Sequence, residues 1–173
     1  MPGLAAWALR VDVRVVEDAG NAGDAAAAAA LAALLHFRLP EVTLSGRSWT
    51  VHAARERVPR PLAFHHTPVS VTLAAIRGVA SAPVLLADPT SAESTAAGAS
   101  VTVAANAHGE LCGLAKSGAA PLPLTTLSEA ALAAAIIAKL LILKIREALA
   151  AEEGRELIRA KASHTAAGRA AAQ

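Results

Sequence analysis

WALRVDVRVVEDAGNAGDAAAAAALAALLHFRLPEV, from Trp7 to Val42, carries three structural signals in a row. Between Arg10 and Val16 the chain alternates. Val11, Val13 and Val15 fall on one side and Arg10, Asp12 and Arg14 on the other, the period of a half-buried strand. Gly20, Asn21 and Gly23 then mark a turn. Asp24 precedes an unbroken apolar run, Ala25 to Leu35, where a carboxylate can cap or charge the first turn of a helix reaching about Phe37. A helix apolar on every side is expected between two layers, and its alanines allow close approach to a sheet.

Outward from this stretch, Pro40 closes the region. Val42–Leu44 and Ser48–His52 flank Ser45-Gly46 as a β-hairpin. Ala53 to Pro61 reads as a linker, with Arg55, Glu56, Arg57 and Arg60 around two prolines. After Pro68, Val69, Val71 and Leu73 alternate with Ser70 and Thr72, which predicts a strand to about Ile76. Val84–Ala87 forms another, ended by Asp88-Pro89. Residues 91–98 read as a polar turn or short helical segment. Ser100–Asn106 and Glu110–Ala115 form a second hairpin around Ala107-His108-Gly109.

A long helix begins near Thr125, with Leu127, Ala131, Ala134, Ala138, Leu141, Ile145 and Leu149 as its inward stripe. The element order predicts an α+β fold, helices packed on mixed or antiparallel sheets. Three regions are expected: a first subdomain over 1–58, a second over 59–150, and an Ala-rich tail over 151–173 that extends the helix or frays.

Composition limits the function classes. Of 173 residues, 54% are apolar, alanine foremost, and 2% aromatic, so the core is built from Leu, Val, Ile and Ala. Charged residues are 17% and the net charge is +2, which excludes an acidic disordered tail and a strongly basic nucleic-acid arm. The start shows no basic and long apolar signal pattern, and Lys139 and Lys144 interrupt the most apolar stretch, Ala130–Ile145, short of a membrane span. A soluble intracellular protein is expected. Cys112 is the single cysteine, so an internal disulfide and a Cys-rich zinc site are excluded.

The candidate chemical groups are few. Asp12, Asp18 and Asp24 are close in sequence, as an acid–base or metal cluster would be. The preferred reading is strand surface for Asp12, loop for Asp18 and helix cap for Asp24. Neighbours in an extended segment point to opposite sides, so His65 and His66 do not share one metal. One is expected to pack at the subdomain junction and the other to face solvent or a partner. Arg38, Arg55, Arg57 and Arg60 form either a solvated linker or a basic face for RNA. Arg10 and Arg14 either contact RNA or pair with Asp12. Lys116-Ser117-Gly118 lacks the Gly-rich lead of a phosphate loop. Cys112 is expected on a strand, buried, with no partner that would make it a nucleophile.

Taken together, Trp7–Val42, FHHTPVSVTLAAI (Phe64–Ile76), LLADPT (Leu85–Thr90) and SVTVAANAHGELCGLAKSGAAPL (Ser100–Leu122) resemble the ribonuclease PH-like ring subunits of the RNA exosome, over roughly residues 7–150. The first segment resembles the second half of that family's first subdomain, and the others its C-terminal subdomain. The resemblance implies a partial ribonuclease PH-like fold whose N-terminal half, with its phosphate- and RNA-binding arginines, is missing here. Active members carry an Asp in an Ala-Asp-Gly-Gly phrase. Here the phrase is Asp18-Ala19-Gly20-Asn21, with Ala19 at that position, while Asp24 matches the helix-opening acid of non-catalytic members.

The resemblance therefore implies a non-catalytic ring subunit acting in assembly and along the RNA path. No catalytic residue, metal ligand or cofactor is assigned, and Arg10, Arg14, Arg55 and Arg57 are the RNA-binding candidates. Other ribonuclease PH-like ring subunits and RNA are the expected partners, with no membrane. The expected location is nucleus and nucleolus, and also cytoplasm. The alternatives are a phosphorolytic 3′-to-5′ exoribonuclease and an inactive truncated gene product.

Overall fold

The computed structural model describes residues 6–46, 48–78 and 83–170, with side chains as far as Glu156. In chain order the elements are α1 (Ala22–His36), β1 (Arg38–Leu39), β2 (Val42–Ser45), β3 (Ser48–Val51), β4 (Arg60–Pro61), β5 (Val69–Arg77), β6 (Pro83–Ala87), α2 (Ser91–Ala96), β7 (Ala99–Ala105), β8 (Leu111–Ser117) and α3 (Leu124–Ala170). β5 to β8 form one four-stranded antiparallel sheet in the order β6-β5-β7-β8. β2 and β3 make the expected hairpin, and β1 pairs with β4 across the arginine-rich turn.

The core lies on one face of the four-stranded sheet. Along β7, and along β5 as far as Leu73, every second side chain is buried, with Val69, Val71 and Leu73 from β5 and Val101, Val103 and Ala105 from β7; beyond Leu73, Ala74 and Ala75 are both buried. The register sets Val71 opposite Val103 and Leu73 opposite Val101. α3 lies across this face with Ala130, Ala134, Ala138 and Ile142 inward. Three alanines at a four-residue spacing leave no bulk between helix and sheet, so the valines pack close to the helix backbone. Leu31 of α1 completes the core, α1 resting on both β5 and α3.

Several expectations need correction. Residues 10–16 form no strand, and all are exposed. Alternation sets which side chains share a face, but a strand also needs a neighbour for its N–H and C=O groups, and none lies there among the described residues. α1 is not held between two layers. It packs on one side, while Ala25, Ala29 and Ala33 face outward. The inward stripe of α3 holds at Ala134 and Ala138, with Leu127, Ala131, Ile145 and Leu149 half-buried, but Leu141 is 38% exposed and its neighbour Ile142, 1% exposed, stands inward in its place. An apolar run gives a helix no internal cue to its inward side, so the sheet chooses the face.

α3 continues helically past Gly154 through Ala170. Its Leu124–Glu156 portion is long and apolar enough to cross a membrane, with a mean hydropathy of 1.9 in its most apolar window, contrary to the expectation that the stretch falls short. The buried Ala130–Ile142 face, however, makes it the core helix of the sheet. Leu132, Ile136, Leu140 and Leu143 form a second, exposed apolar stripe on it.

Candidate functional site

The loop Asp18–Asp24 enters α1 where β6 leaves the sheet, and the two events are joined. β6 pairs with β5 only as far as Leu73 opposite Ala87. Asp88, in the left-handed region at φ 54°, then turns the chain away after its N–H donates to the Thr72 carbonyl at 3.2 Å. The Thr72 N–H loses its strand partner at this point. The Asp24 carboxylate replaces it, with Oδ2 accepting from Thr72 N at 2.5 Å and Oδ1 accepting from the Thr72 hydroxyl at 3.1 Å. Because Thr72 gives its hydroxyl proton to the carboxylate, the Thr102 hydroxyl, 2.9 Å away, is the donor of the next bond in the chain.

Asn21 is the second connector. It occupies the N-cap position of α1 in the left-handed region at φ 54°, but its side chain does not cap. Nδ2 instead donates to Asp24 Oδ2 and to Asp88 Oδ1, each at 2.9 Å. The Ser91 N–H donates to the Ala19 carbonyl at 2.9 Å, fastening the loop to the start of α2. Gly20 permits this approach. Its φ is +125°, and a Cβ there would stand 2.5 Å from Ser91 N and 2.6 Å from the Pro89 carbonyl oxygen.

α2 is set by a capping box. The Thr90 hydroxyl accepts from Glu93 N, while the Glu93 carboxylate accepts from the Thr90 N–H and hydroxyl. The backbone bond, and then the hydroxyl bond, hold the Glu93 carboxyl below its ordinary value.

Beside this junction lies a cavity of about 240 Å³, lined among others by Asn21, Thr72, Pro89, Ser94, Ser100 and Gly118. Its polar lining is amide and hydroxyl, without a titratable side chain.

The three candidate acids are not brought together. Asp12 pairs with Arg10 at 2.8 Å. Asp18 closes a local turn by accepting the Gly20 N–H at 2.9 Å. Asp24 is committed to Thr72 and Asn21. No three His, Cys, Asp or Glu side chains converge on a metal-sized site among the described residues. His65 and His66 are both exposed, against the expectation that one packs. The neighbouring Thr67 is the buried residue, and it accepts from Arg146 at 3.4 Å. Cys112 is exposed rather than buried, because β8 is an edge strand that α3 barely reaches. Lys116 donates to the Gly118 carbonyl, which closes a strand-end turn.

Arg10 and Arg14 lie on the unpaired N-terminal segment, and Arg55 and Arg57 on the turn before β4. Arg57 and Arg60 share the Glu41 carboxylate, at 3.0 and 3.8 Å. Arg14 and Arg55 are exposed and without an ion pair among the described residues. Arg38 donates to the carbonyls of Leu35, His36 and Phe37 at the end of α1 and pairs with Glu153 of α3. It therefore stands apart from a basic face. The sequence marked Asp24 but not its partners. Thr72 reads as one more polar residue of an alternating strand, and nothing local points to it.

Residues 66–136 match the 3′ exoribonuclease family, domain 2. The exosome complex component RRP45 of Danio rerio is 37% identical over 116 residues, which are 67% of this chain and 29% of that protein. The exosome complex component RRP45A of Arabidopsis thaliana is 32% identical over 121 residues, 68% of this chain and 38% of that protein. The chain thus spans well under half the length of these curated relatives. Among solved structures, the Archaeoglobus fulgidus exosome with RNA bound to the active site superposes with a TM-score of 0.57 at 26% identity, covering 75% of this chain and 45% of that one. Sheet order, core and sequence agree: residues 66–136 are a second domain of the 3′ exoribonuclease family, on an α+β, ribonuclease PH-like fold of the kind found in exosome cores.

Proposed function

We propose that the chain acts as a non-catalytic, ribonuclease PH-like ring subunit of an RNA exosome, contributing to assembly and to the RNA path in 3′-to-5′ RNA processing and degradation. Its partners are other ribonuclease PH-like ring subunits, in a hetero-oligomer, and RNA. Its place in the cell is the nucleus and nucleolus, and also the cytoplasm. The observation that carries this reading is the likeness to RRP45 components over two thirds of the chain. The state of the acids supports the non-catalytic part: Ala19 stands in the loop phrase, and Asp24 is occupied by Thr72 and Asn21. A carboxylate that already accepts three hydrogen bonds is poorly placed to take a proton from a reacting group.

Arg14 and Arg55 are free to contact phosphate. Arg10 and Arg57 can exchange exposed ion pairs, which are worth about 0–1 kcal/mol, for an RNA backbone. Two measurements test the reading. Purified chain incubated with 3′-tailed RNA and inorganic phosphate is expected to release no nucleoside diphosphates, and phosphorolysis by the wild-type chain would overturn the non-catalytic assignment. Co-expression with ribonuclease PH-like ring subunits is expected to yield a stoichiometric complex, and its absence would overturn the ring assignment.

A further inference from the structure

We infer that Arg57 and Arg60 form a cradle for one phosphodiester group of single-stranded RNA, and that the Glu41 carboxylate occupies this cradle until RNA displaces it. The inference rests on the RNA reading proposed above and adds to it a competing group within the chain. The sequence presents these residues on stiff backbone. Pro40 precedes Glu41, and Pro59 and Pro61 bracket Arg60. The pairing of β1 with β4 sets Arg60 opposite Leu39, two residues before Glu41. The Glu41 carbonyl accepts from the His52 N–H at 2.9 Å. The Ala53 carbonyl, one residue on, accepts from the N–H groups of Glu56 and Arg57 at 2.9 and 3.2 Å. The turn that carries Arg57 is thereby fastened to the start of β2, where Glu41 stands.

Both guanidinium groups meet the same oxygen, Glu41 Oε1. Arg57 Nη1 donates to it at 3.0 Å, and Arg60 Nη2 stands at 3.8 Å, in ionic contact but beyond hydrogen-bond length. One carboxylate balances one of the two charges, and Arg60 keeps N–H donors that Glu41 does not take. Arg55, in the same turn, is exposed and without an ion pair among the described residues. Glu56 faces His52 at 3.9 Å, and Arg38 is held by the α1 carbonyls and Glu153, so neither completes the cradle. A phosphodiester carries two non-bridging oxygens, one for each guanidinium, where Glu41 presents Oε1 to both. The side chains of Arg57 and Arg60 are 44% and 75% exposed, and ion pairs at such exposure hold weakly, so a phosphate can replace the carboxylate.

The test is binding of a fluorescent oligouridylate by the full chain, read by anisotropy across a potassium chloride series. Glu41→Gln keeps the shape and removes the competing charge, and is expected to bind about two- to fivefold more tightly than wild type. R57A/R60A is expected to bind more weakly, with a log–log salt slope shallower by about 1.4, since each phosphate contact on a single strand contributes about 0.7. R60A alone, at a largely exposed residue, should change the slope by about 0.7. E41Q also raises the net charge by one, so it is repeated in the R57A/R60A background, where its gain is expected to vanish. Cooperative thermal melting of each variant verifies its fold.

Binding by E41Q where wild type shows none would also support a masked cradle. E41Q that binds no more tightly than wild type, a gain that persists without the two arginines, or an unchanged salt slope in R57A/R60A and R60A would each overturn the inference while RNA binding by wild type leaves the wider RNA reading standing. Absence of RNA binding by wild type and E41Q alike would overturn both.

Discussion

Replacing Asp24 by alanine removes the acceptor of three hydrogen bonds and leaves a strand N–H without a partner. The affected groups are the Thr72 N–H, the Thr72 hydroxyl and the Asn21 amide, all partly buried. A hydrogen bond to a charged group contributes roughly 1.5–3 kcal/mol, and an orphaned, partly buried donor costs about 1–3 kcal/mol. The two terms overlap, and Asn21 retains Asp88. Loss of a carboxylate from the first turn of α1 adds about 0.3–1 kcal/mol. The expected destabilisation of D24A is about 3 kcal/mol, which for a chain of this size lowers Tm by about 6–12 °C.

D24N keeps one oxygen for the Thr72 N–H and loses the charge and the second acceptor, so about half of that loss is expected. T72V keeps the N–H bond and removes only the hydroxyl, costing about 1 kcal/mol. Urea unfolding followed by circular dichroism measures all three, and the D24A/T72V cycle isolates their coupling. The cycle reads the hydroxyl bond alone, so a coupling near zero would remove that bond from the bridge between α1 and β5 and leave the Thr72 N–H to carry it. A D24A loss below about 0.5 kcal/mol would refute the bridging role outright.

The inward and outward faces of α3 give a paired test. I142A, at a residue 1% exposed in the core, should cost about 3 kcal/mol in urea, whereas L140A on the outer stripe should stay within about 0.5 kcal/mol. G20A should lower Tm by several degrees, since φ and the backbone of Pro89–Ser91 both oppose a Cβ, whereas G23A, with open space around its Cβ position, should be neutral or stabilising. The Glu93 carboxyl is lowered in the folded chain by its bonds to Thr90, so the capping box stabilises α2 above the unfolded value of Glu93 and loses that effect as pH falls through the folded one. NMR titration should place the Glu93 midpoint below that of an unstructured glutamate, and T90A, which removes the hydroxyl bond and keeps the backbone N–H, should raise it part of the way.

The local elements were legible from Trp7 onward because their determinants are local. Ser45-Gly46 between two alternating segments makes the β2–β3 hairpin whatever lies around it. Asp24 before an alanine run starts α1 within two residues of the expected place, and Val69–Ile76 alternates because one face meets a core. The resemblance carried the family further than periodicity did, since phrases such as Phe64–Ile76 keep their order along the chain. Periodicity also marks which residues of 10–16 share a face. Pairing, however, depends on a second strand distant in sequence or in another chain, so that segment was read as a half-buried strand and is found unpaired.

The candidate site divides in the same way. Asp24 was visible as a helix-opening acid, but its bonds to Thr72 exist only because β6 leaves β5 at Ala87 and frees one N–H. The exposure of Cys112 follows from β8 being an edge, and the choice of Ile142 over Leu141 from where the β5–β7 valines stand. By itself the sequence determined the elements, their order and their family, because turn residues, caps and side-chain period act within a few residues. The tertiary structure alone decided which faces are covered and which acids are engaged, because burial and long-range hydrogen bonds depend on neighbours that no local pattern encodes.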